Sequence, residues 1–481
     1  MEAIVLYPSP GMGHLISMVE VGKLLLTHHP SFTIIILITT PPFNAGSTAS
    51  YIAAVSATTP SISFHQLPII SLDPAAYDSV EALMRDLIHL NNVHADAALT
   101  AISLTSTVHS LIIDLFCYPA LEIAAKLNIP AYYFFTSGAS CLALYLHMPS
   151  IHRNTTENFK NLNTLFHLPC LPPIPLNHLP EPMLIRDTTV YDFLINCTTH
   201  LAKSAGIIIN TFETLEPKAV KALSKGFSIP DGPNQTPPVF CIGPLIDTNK
   251  GRSKGNGGDD DDDNNDKGIE CLKWLDSQPS QSVVFLCFGS MGLFSKKQLM
   301  EVAVGLEKSG QRFLWVVRNP PSINKNQGFT AGPDPALDSL LPEGFLDRTS
   351  DRGLVVKAWA PQVEVLNHDS VGGFLTHCGW NSVLEAICAG VPMVAWPLYA
   401  EQKFNKILLV EELKLAMPVN ESESGFVSAE EVEKRVRELM ESKEGNSLRN
   451  RTMAKRKEAV AALREGGPSR SAVAQLLKCW A

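Results

Sequence analysis

Three groups of side chains in this 481-residue chain could do chemistry. The densest lies between Trp359 and Gln402. There His377, Asn381 and Ser382 crowd one turn, and all three can donate hydrogen bonds while carrying little or no charge at neutral pH. Glu385 follows on the same face of a helix, where a carboxylate could accept from both hydroxyls of a ribose. Trp359 offers a flat face to a base. Base, ribose and phosphates together make a nucleotide. The second group is a single residue, His14, which closes the loop PSPGMGH. It either fixes the turn or acts as a general base, since a His side chain has an unperturbed pKa near ~6.5. The third is Asp114, at the end of the apolar run LIID. It either caps the next turn or holds an imidazole in one tautomer and stabilises its charged form.

The elements that must position these groups can be read from composition and periodicity. Pro361 opens a loop, because it fixes its own φ and disfavours helix just before it. Gly372–Thr376 reads as a buried strand, and His377–Trp380 as a turn. A helix capped by Asn381 or Ser382 then runs to about Ala389, Gly390 ends it, and Pro392–Trp396 is the next strand. The first N–H groups of a helix and its dipole attract an anion such as a phosphate.

Elsewhere the same alternation recurs. Strands are expected at Ala3–Tyr7, Phe32–Ile38, Ile62–Gln66, Val108–Ile113, Ala131–Phe135 and Gly206–Asn210, with a helix from about His14 to His28. A second set of strands is expected at Val283–Phe288, Phe313–Val317, Leu354–Val356, Gly373–Leu375 and Met393–Trp396. Helices are expected at Lys297–Lys308, Gln402–Glu412, Ala429–Met440 and Leu448–Leu463. Ser428 and Glu431 have capping-box spacing. Between the two sets, Asp247–Gly268 is built from Asp, Asn, Gly, Lys and Ser, a composition that predicts a disordered linker. The fold class is therefore α/β, with two doubly wound parallel sheets. Residues 1–246 form one domain, 247–268 the linker, 269–460 a second domain and 461–481 a C-terminal segment.

Composition narrows the function classes. Hydrophobic content of 45% and charged content of 18% describe a globular protein with large buried sheets. The net charge of −9 provides no basic excess for nucleic acid or an anionic membrane. Ten scattered cysteines without a CxxC pair fit reduced thiols in the cytoplasm. No signal-peptide pattern and no apolar run of membrane-spanning length are found. No obligate protein partner is evident. The run Gly11–Ile16 begins like a dinucleotide fingerprint, but Ile16 stands where the third Gly belongs, so a nicotinamide cofactor is not expected. The acidic run Asp259–Asp263 lies in the linker, which lacks the rigid strand end a metal site needs, so no metal site is expected there.

The stretch Trp359–Gln402, with its HCGWNS turn and terminal Glu-Gln, resembles the signature box of plant family-one UDP-sugar-dependent glycosyltransferases. The resemblance extends over the whole chain and is nearest to the flavonoid and chalcone glucosyltransferases. It implies the two-domain GT-B fold, with the final residues crossing back onto the first domain. It implies that His14 is the catalytic base and Asp114 its partner. It assigns Trp359 and the backbone of Ala360 to uracil, and Gln362 and Glu385 to the ribose. Ser290, His377, Asn381 and Ser382 would hold the diphosphate, on the turn that contains Gly379. Thr136, Trp380, Glu401 and Gln402 would hold the sugar, Gln402 through both its carbonyl and its NH₂. An acceptor pocket near Phe116, Tyr118, Met183 and Phe193 would take a small aromatic molecule. The implied reaction is inverting transfer from UDP-glucose, a co-substrate rather than a cofactor, to a phenolic oxygen or a ring carbon. Two rivals are a UDP-sugar-binding protein without transfer activity, and a nucleotide-sugar epimerase or hydrolase of similar fold.

Overall fold

β-Branched and aromatic runs pair into two parallel sheets. A computed structural model of the chain describes residues 2–40, 48–162, 164–168, 171–226, 236–247, 270–321 and 334–480. The linker residues 248–268, with the run Asp259–Asp263, lie outside the described residues.

The first sheet holds β1 (Glu2–Tyr7), β2 (Thr33–Ile38), β3 (Ile62–Gln66), β4 (Thr107–Asp114), β5 (Ala131–Phe135), β6 (Gly206–Ile209) and β7 (Val239–Cys241). All are parallel, in the order β3-β2-β1-β4-β5-β6-β7. The chain moves outward from β1 to β3, then returns on the other side at β4. The reversal falls between β1 and β4, where Tyr7 pairs with Ile113. Ligand crevices form at such switch points, beyond the carboxyl ends of the strands. Helix α1 (Met12–His28) leaves β1 there, and it buries Leu15, Met18, Val19 and Leu25 against the sheet.

The second sheet repeats the plan with β8 (Val283–Cys287), β9 (Arg312–Val317), β10 (Gly353–Lys357), β11 (Val371–Thr376), β12 (Met393–Ala395) and β13 (Ala416–Pro418). Its order is β10-β9-β8-β11-β12-β13, again all parallel. Its switch point lies between β8 and β11. Both sheets carry a short edge strand, β7 and β13, that the sequence reading lacks.

The described chain clusters into two compact units. One is mainly Met1–Asp247 with Val460–Ala481, the other mainly Thr248–Gly328 with Gly332–Ala459. In the first unit the last helix, Pro468–Lys478, buries Val473 and Leu476, and Trp480 joins them in the core of that sheet. Ser469 Oγ donates to the Gly243 carbonyl at 2.6 Å, and His109 Nδ1 donates to the Trp480 carbonyl at 3.2 Å. Ser428 Oγ accepts from the Glu431 N–H, but the Glu431 carboxylate turns instead to Asn420 N and Arg435, so only half of the capping box forms. None of the described helices is long and apolar enough to cross a membrane.

Candidate active site: an ionisable pair and a neutral anion turn

At the second switch point the chain leaves β11 through His377 and Cys378. Cys378 adopts φ 66°, a left-handed conformation that costs a non-glycine residue about 1–3 kcal/mol. Two buried side chains hold it there. Thr376 Oγ1 accepts from the Cys378 N–H at 3.3 Å, and Asn405 Nδ2 donates to the Cys378 carbonyl at 3.0 Å. The helix that follows, α2 (Trp380–Ala389), begins two or three residues earlier than a cap at Asn381 or Ser382 implies. Its N-cap is Gly379, which has no side chain to offer, rather than Asn381 or Ser382. Ser382 is drawn away because its Oγ accepts from Gln362 Nε2 at 2.8 Å.

His377 is 5% exposed, and burial drives its pKa down to about 4. The imidazole is thus neutral at physiological pH. Its Nε2 edge sits between Gly289 and Gly379, where an added Cβ would come within 2.6 and 2.4 Å respectively. Only glycine permits that approach, and Gly289 also needs φ 73°. The Nδ1 atom is buried and has no hydrogen-bond partner among the described residues. An orphaned polar atom beside a helix start is what a ligand oxygen would satisfy.

Gln362 ties Ser382 and Glu385 together: besides Ser382, its Nε2 donates to Glu385 Oε2 at 2.6 Å. Trp359, half-buried, follows Ala358 at φ 63°, and Ala360 is buried. Glu401 is the N-cap residue of helix Gln402–Ile407. Gln402 is 2% exposed, and its Oε1 accepts from the backbone N–H groups of Leu398 (2.8 Å) and Tyr399 (3.0 Å). That corrects the expected use of both ends of its amide: the carbonyl is spent on the loop, and the NH₂ end alone can serve a ligand. Trp380 is 3% exposed, so no open indole face is presented there. Ser290 is exposed on the loop leaving β8.

The first switch point is built differently. His14 sits in the first turn of α1 and Asp114 ends β4, and His14 Nδ1 lies 2.7 Å from Asp114 Oδ2. The Asp114 side chain is fully buried, while that of His14 is 32% exposed. A carboxylate beside Nδ1 holds the proton on that nitrogen, which makes Nε2 the basic nitrogen of the ring. Asp114 Oδ1 has no hydrogen-bond partner among the described residues, so its side chain is supported through Oδ2 by His14.

Aromatic rings extend from this pair. Phe116 lies 6.2 Å from the His14 ring, Phe193 6.0 Å from Phe116, and Tyr118 5.9 Å from Phe193. His89, which the sequence reading missed, joins them at 6.0 Å from Phe193. Its Nδ1 donates to the Arg85 carbonyl, so its Nε2 accepts from the Tyr118 hydroxyl at 3.3 Å. Met183 is fully buried and lies behind the surface as packing. Thr136 follows β5 in a loop fixed by another missed residue, Glu216. This carboxylate, 3% exposed, accepts from Ala139 N (2.9 Å), Ser140 N (2.8 Å) and Thr211 Oγ1 (2.6 Å). It closes the N-terminus of helix Ala139–Asn154.

The family model for UDP-glucoronosyl and UDP-glucosyl transferases matches residues 256–456. The chain is 50% identical over 490 residues to an anthocyanidin 5,3-O-glucosyltransferase of a Rosa hybrid cultivar, covering 100% of this chain and 99% of that one. It is 50% identical over 478 residues to a phloretin 2'-O-glucosyltransferase of Malus domestica, covering 97% of each. Among solved structures it is similar to Phytolacca americana UGT2 complexed with UDP-2fluoro-glucose and pterostilbene. Identity there is 37%, the TM-score 0.85, and 100% of both chains is covered. Half-identity over the full length, on the same two-sheet fold, means that the chain belongs to the UDP-glucoronosyl and UDP-glucosyl transferase family and is a UDP-sugar-dependent glycosyltransferase.

Proposed function

We propose that this enzyme transfers glucose from UDP-glucose to a hydroxyl of a small phenol of the flavonoid or chalcone type, with inversion at the anomeric carbon. The observation that carries the reading is the His14–Asp114 contact of 2.7 Å with the carboxylate fully buried. A protein that only bound a UDP-sugar would have no use for a poised base. The half-identical relatives, named for anthocyanidin and phloretin O-glucosylation, support a phenolic acceptor and bonding through oxygen.

In this mechanism the acceptor lies against Phe116, Tyr118 and Phe193. His14 Nε2 takes the hydroxyl proton as the oxygen forms its bond to the anomeric carbon, and Asp114 stabilises the imidazolium. The bond from that carbon to the UDP oxygen breaks in the same step, so an α-linked donor yields a β-glucoside and UDP. On the donor side Trp359 stacks on the uracil and the Ala360 backbone meets its edge. Gln362 and Glu385 take the ribose. Ser290, His377, Asn381 and Ser382 hold the diphosphate at the start of α2, where the helix terminus stabilises the departing charge without a metal ion. Glu401 and the Gln402 NH₂ face the sugar, and the buried Trp380 contributes only the wall beneath it. We place residues 1–246 and 461–481 in the acceptor domain and 269–460 in the donor domain. The nine described cysteines are all free, which supports a reducing, cytoplasmic location.

The test is incubation with UDP-glucose and a panel of flavonoids and dihydrochalcones, with product structures by NMR. A β-O-glucoside of at least one phenol is expected. Sugar release that is equally fast without any phenol would identify a hydrolase instead.

A further inference from the structure

The loop leaving β8 is gripped by an arginine that no part of the donor assignment includes. Arg318 directly follows β9, the parallel neighbour of β8, so the two carboxyl ends lie side by side. Its Nη1 donates to the Gly289 carbonyl at 3.3 Å and to the Ser290 carbonyl. Arg318 lines a small crevice with Cys287, Phe288, Gly292, Phe294 and Leu299. The loop it grips packs on His377 through Gly289, and the ring of Tyr399 lies 6.0 Å from that of His377.

The charge is what calls for an explanation. Arg318 is half-buried, and burial lowers its pKa. Its electrostatic neighbours among the described residues are Cys287 and Tyr399, whose pKa values are pushed up to about 11 and about 12. Both are neutral at pH 7, so neither offsets the guanidinium, which keeps its proton under all physiological conditions. A half-buried cation with no counter-ion among the described residues carries a desolvation cost that its carbonyl bonds repay in part and a bound anion would repay further. Around it, His377 is neutral, and Ser290, Asn381 and Ser382 carry no charge at all.

We propose that Arg318 supplies the counter-charge for the nucleotide diphosphate, acting from behind the Ser290 loop as a positioning residue that fixes both the loop and the field at the phosphates. The proposal rests on the donor-site reading above. Because Arg318 bonds to loop carbonyls, its influence falls on the phosphates and leaves the uridine untouched.

The experiment compares UDP and uridine binding by calorimetry at several NaCl concentrations for wild type, Arg318→Gln and Arg318→Lys. The glutamine keeps an N–H donor for the carbonyls and removes the charge; the lysine keeps the charge. For Arg318→Gln the UDP Kd should rise ~10-fold or more while the uridine Kd stays within about twofold, and the salt dependence of UDP binding should flatten. Arg318→Lys should recover most of the UDP affinity. Equal losses for UDP and uridine would indicate mere structural support and overturn the proposal. So would unchanged UDP affinity in Arg318→Gln, or a lysine variant as weak as the glutamine one. Arg318→Met, which fills the same apolar crevice, replaces the glutamine variant if that does not fold. A wild type that binds UDP no better than uridine would instead sink the donor-site reading itself.

Discussion

At the first switch point a Gly-rich loop and a strand end bring together an imidazole and a buried carboxylate 2.7 Å apart. At the second, a Gly-rich loop and a strand end bring together an imidazole and two glycine backbones, and the imidazole is held neutral by burial. The topology is the same, and the sign of the surroundings differs. A carboxylate beside a half-exposed histidine suits it to accept a proton. Apolar burial without a carboxylate removes that ability and leaves a neutral hydrogen-bonding group suited to phosphate oxygens. The loops one strand further along resemble each other more closely. After β5, the buried Glu216 carboxylate accepts from two backbone N–H groups, and after β12 the buried Gln402 carbonyl does the same. Chemical difference is concentrated at the switch points, and scaffolding is repeated beside them.

The comparison can be broken most forcefully at the pair. Asp114→Asn should lower kcat by about 10²–10⁴-fold through the wrong tautomer, and His14→Ala by about 10²-fold or more, while UDP affinity barely moves. His14→Ala should also lose about 1–3 kcal/mol of stability, because it strips the buried Asp114 of its partner. Steady-state kinetics, UDP titration and urea unfolding check all three, and unaltered turnover in both variants would remove the base assignment.

Next in size is the acid response of the other histidine. Folded, His377 stays neutral down to about pH 4; unfolded, it takes a proton near ~6.5. Between those values the unfolded chain binds more protons, so stability falls as pH drops through this window, by up to about 3 kcal/mol in all. His377→Gln should lack that component. Urea midpoints for both proteins at pH 7 and pH 4.5 measure it, and parallel losses would contradict a neutral buried ring.

Glu216→Ala tests the scaffolding. It orphans two N–H groups and the Thr211 hydroxyl, at a cost of about 2 kcal/mol. It also turns a closed helix start into an open one, so added acetate should stabilise this variant more than wild type in thermal unfolding. No differential response to acetate would mean that the end has collapsed rather than opened.

Much of this arrangement was legible in the sequence, for local reasons. The second-half strands and α2 are bounded by glycines and prolines, and each strand is a short apolar run. His14 and Asp114 stand at strand and helix ends, where side chains emerge from a sheet. What could not be read depends on distance along the chain. Glu216 reaches Ala139, and His89 reaches Tyr118, from elements whose own sequences carry no sign of the meeting. Asn381 and Ser382 read as caps because their types favour caps, and only the fold reveals that Gln362 claims Ser382. The edge strands β7 and β13 are three residues each, too short for periodicity to register.

The smallest effects concern the sugar. On the proposed donor assignment, with the Gln402 carbonyl committed to its loop, glucose is read through the Gln402 NH₂ and the Glu401 carboxylate. UDP-galactose should then be poorer than UDP-glucose by roughly 10- to 100-fold in kcat/KM, the worth of one misdirected hydrogen bond. UDP-glucuronic acid should be poor too, because Trp380 supplies no positive charge to pair with its carboxylate, and Trp380→Arg should raise its relative use. Competition among the three donors decides the matter, and faster transfer of either alternative would overturn the glucose assignment.

The docking of Pro468–Lys478 and Trp480 into the core of the first sheet has a consequence for biosynthesis. Ribosomes release the first unit's sheet roughly two hundred residues before they make the helix that completes its core. At about 5–20 residues per second that interval is on the order of tens of seconds. During it, the apolar surface later covered by Val473, Leu476 and Trp480 is open to solvent and to other nascent chains. The helix Pro468–Lys478 and Trp480 therefore decide when the first domain becomes safe from aggregation, and their removal would be felt first as loss of yield rather than loss of catalysis.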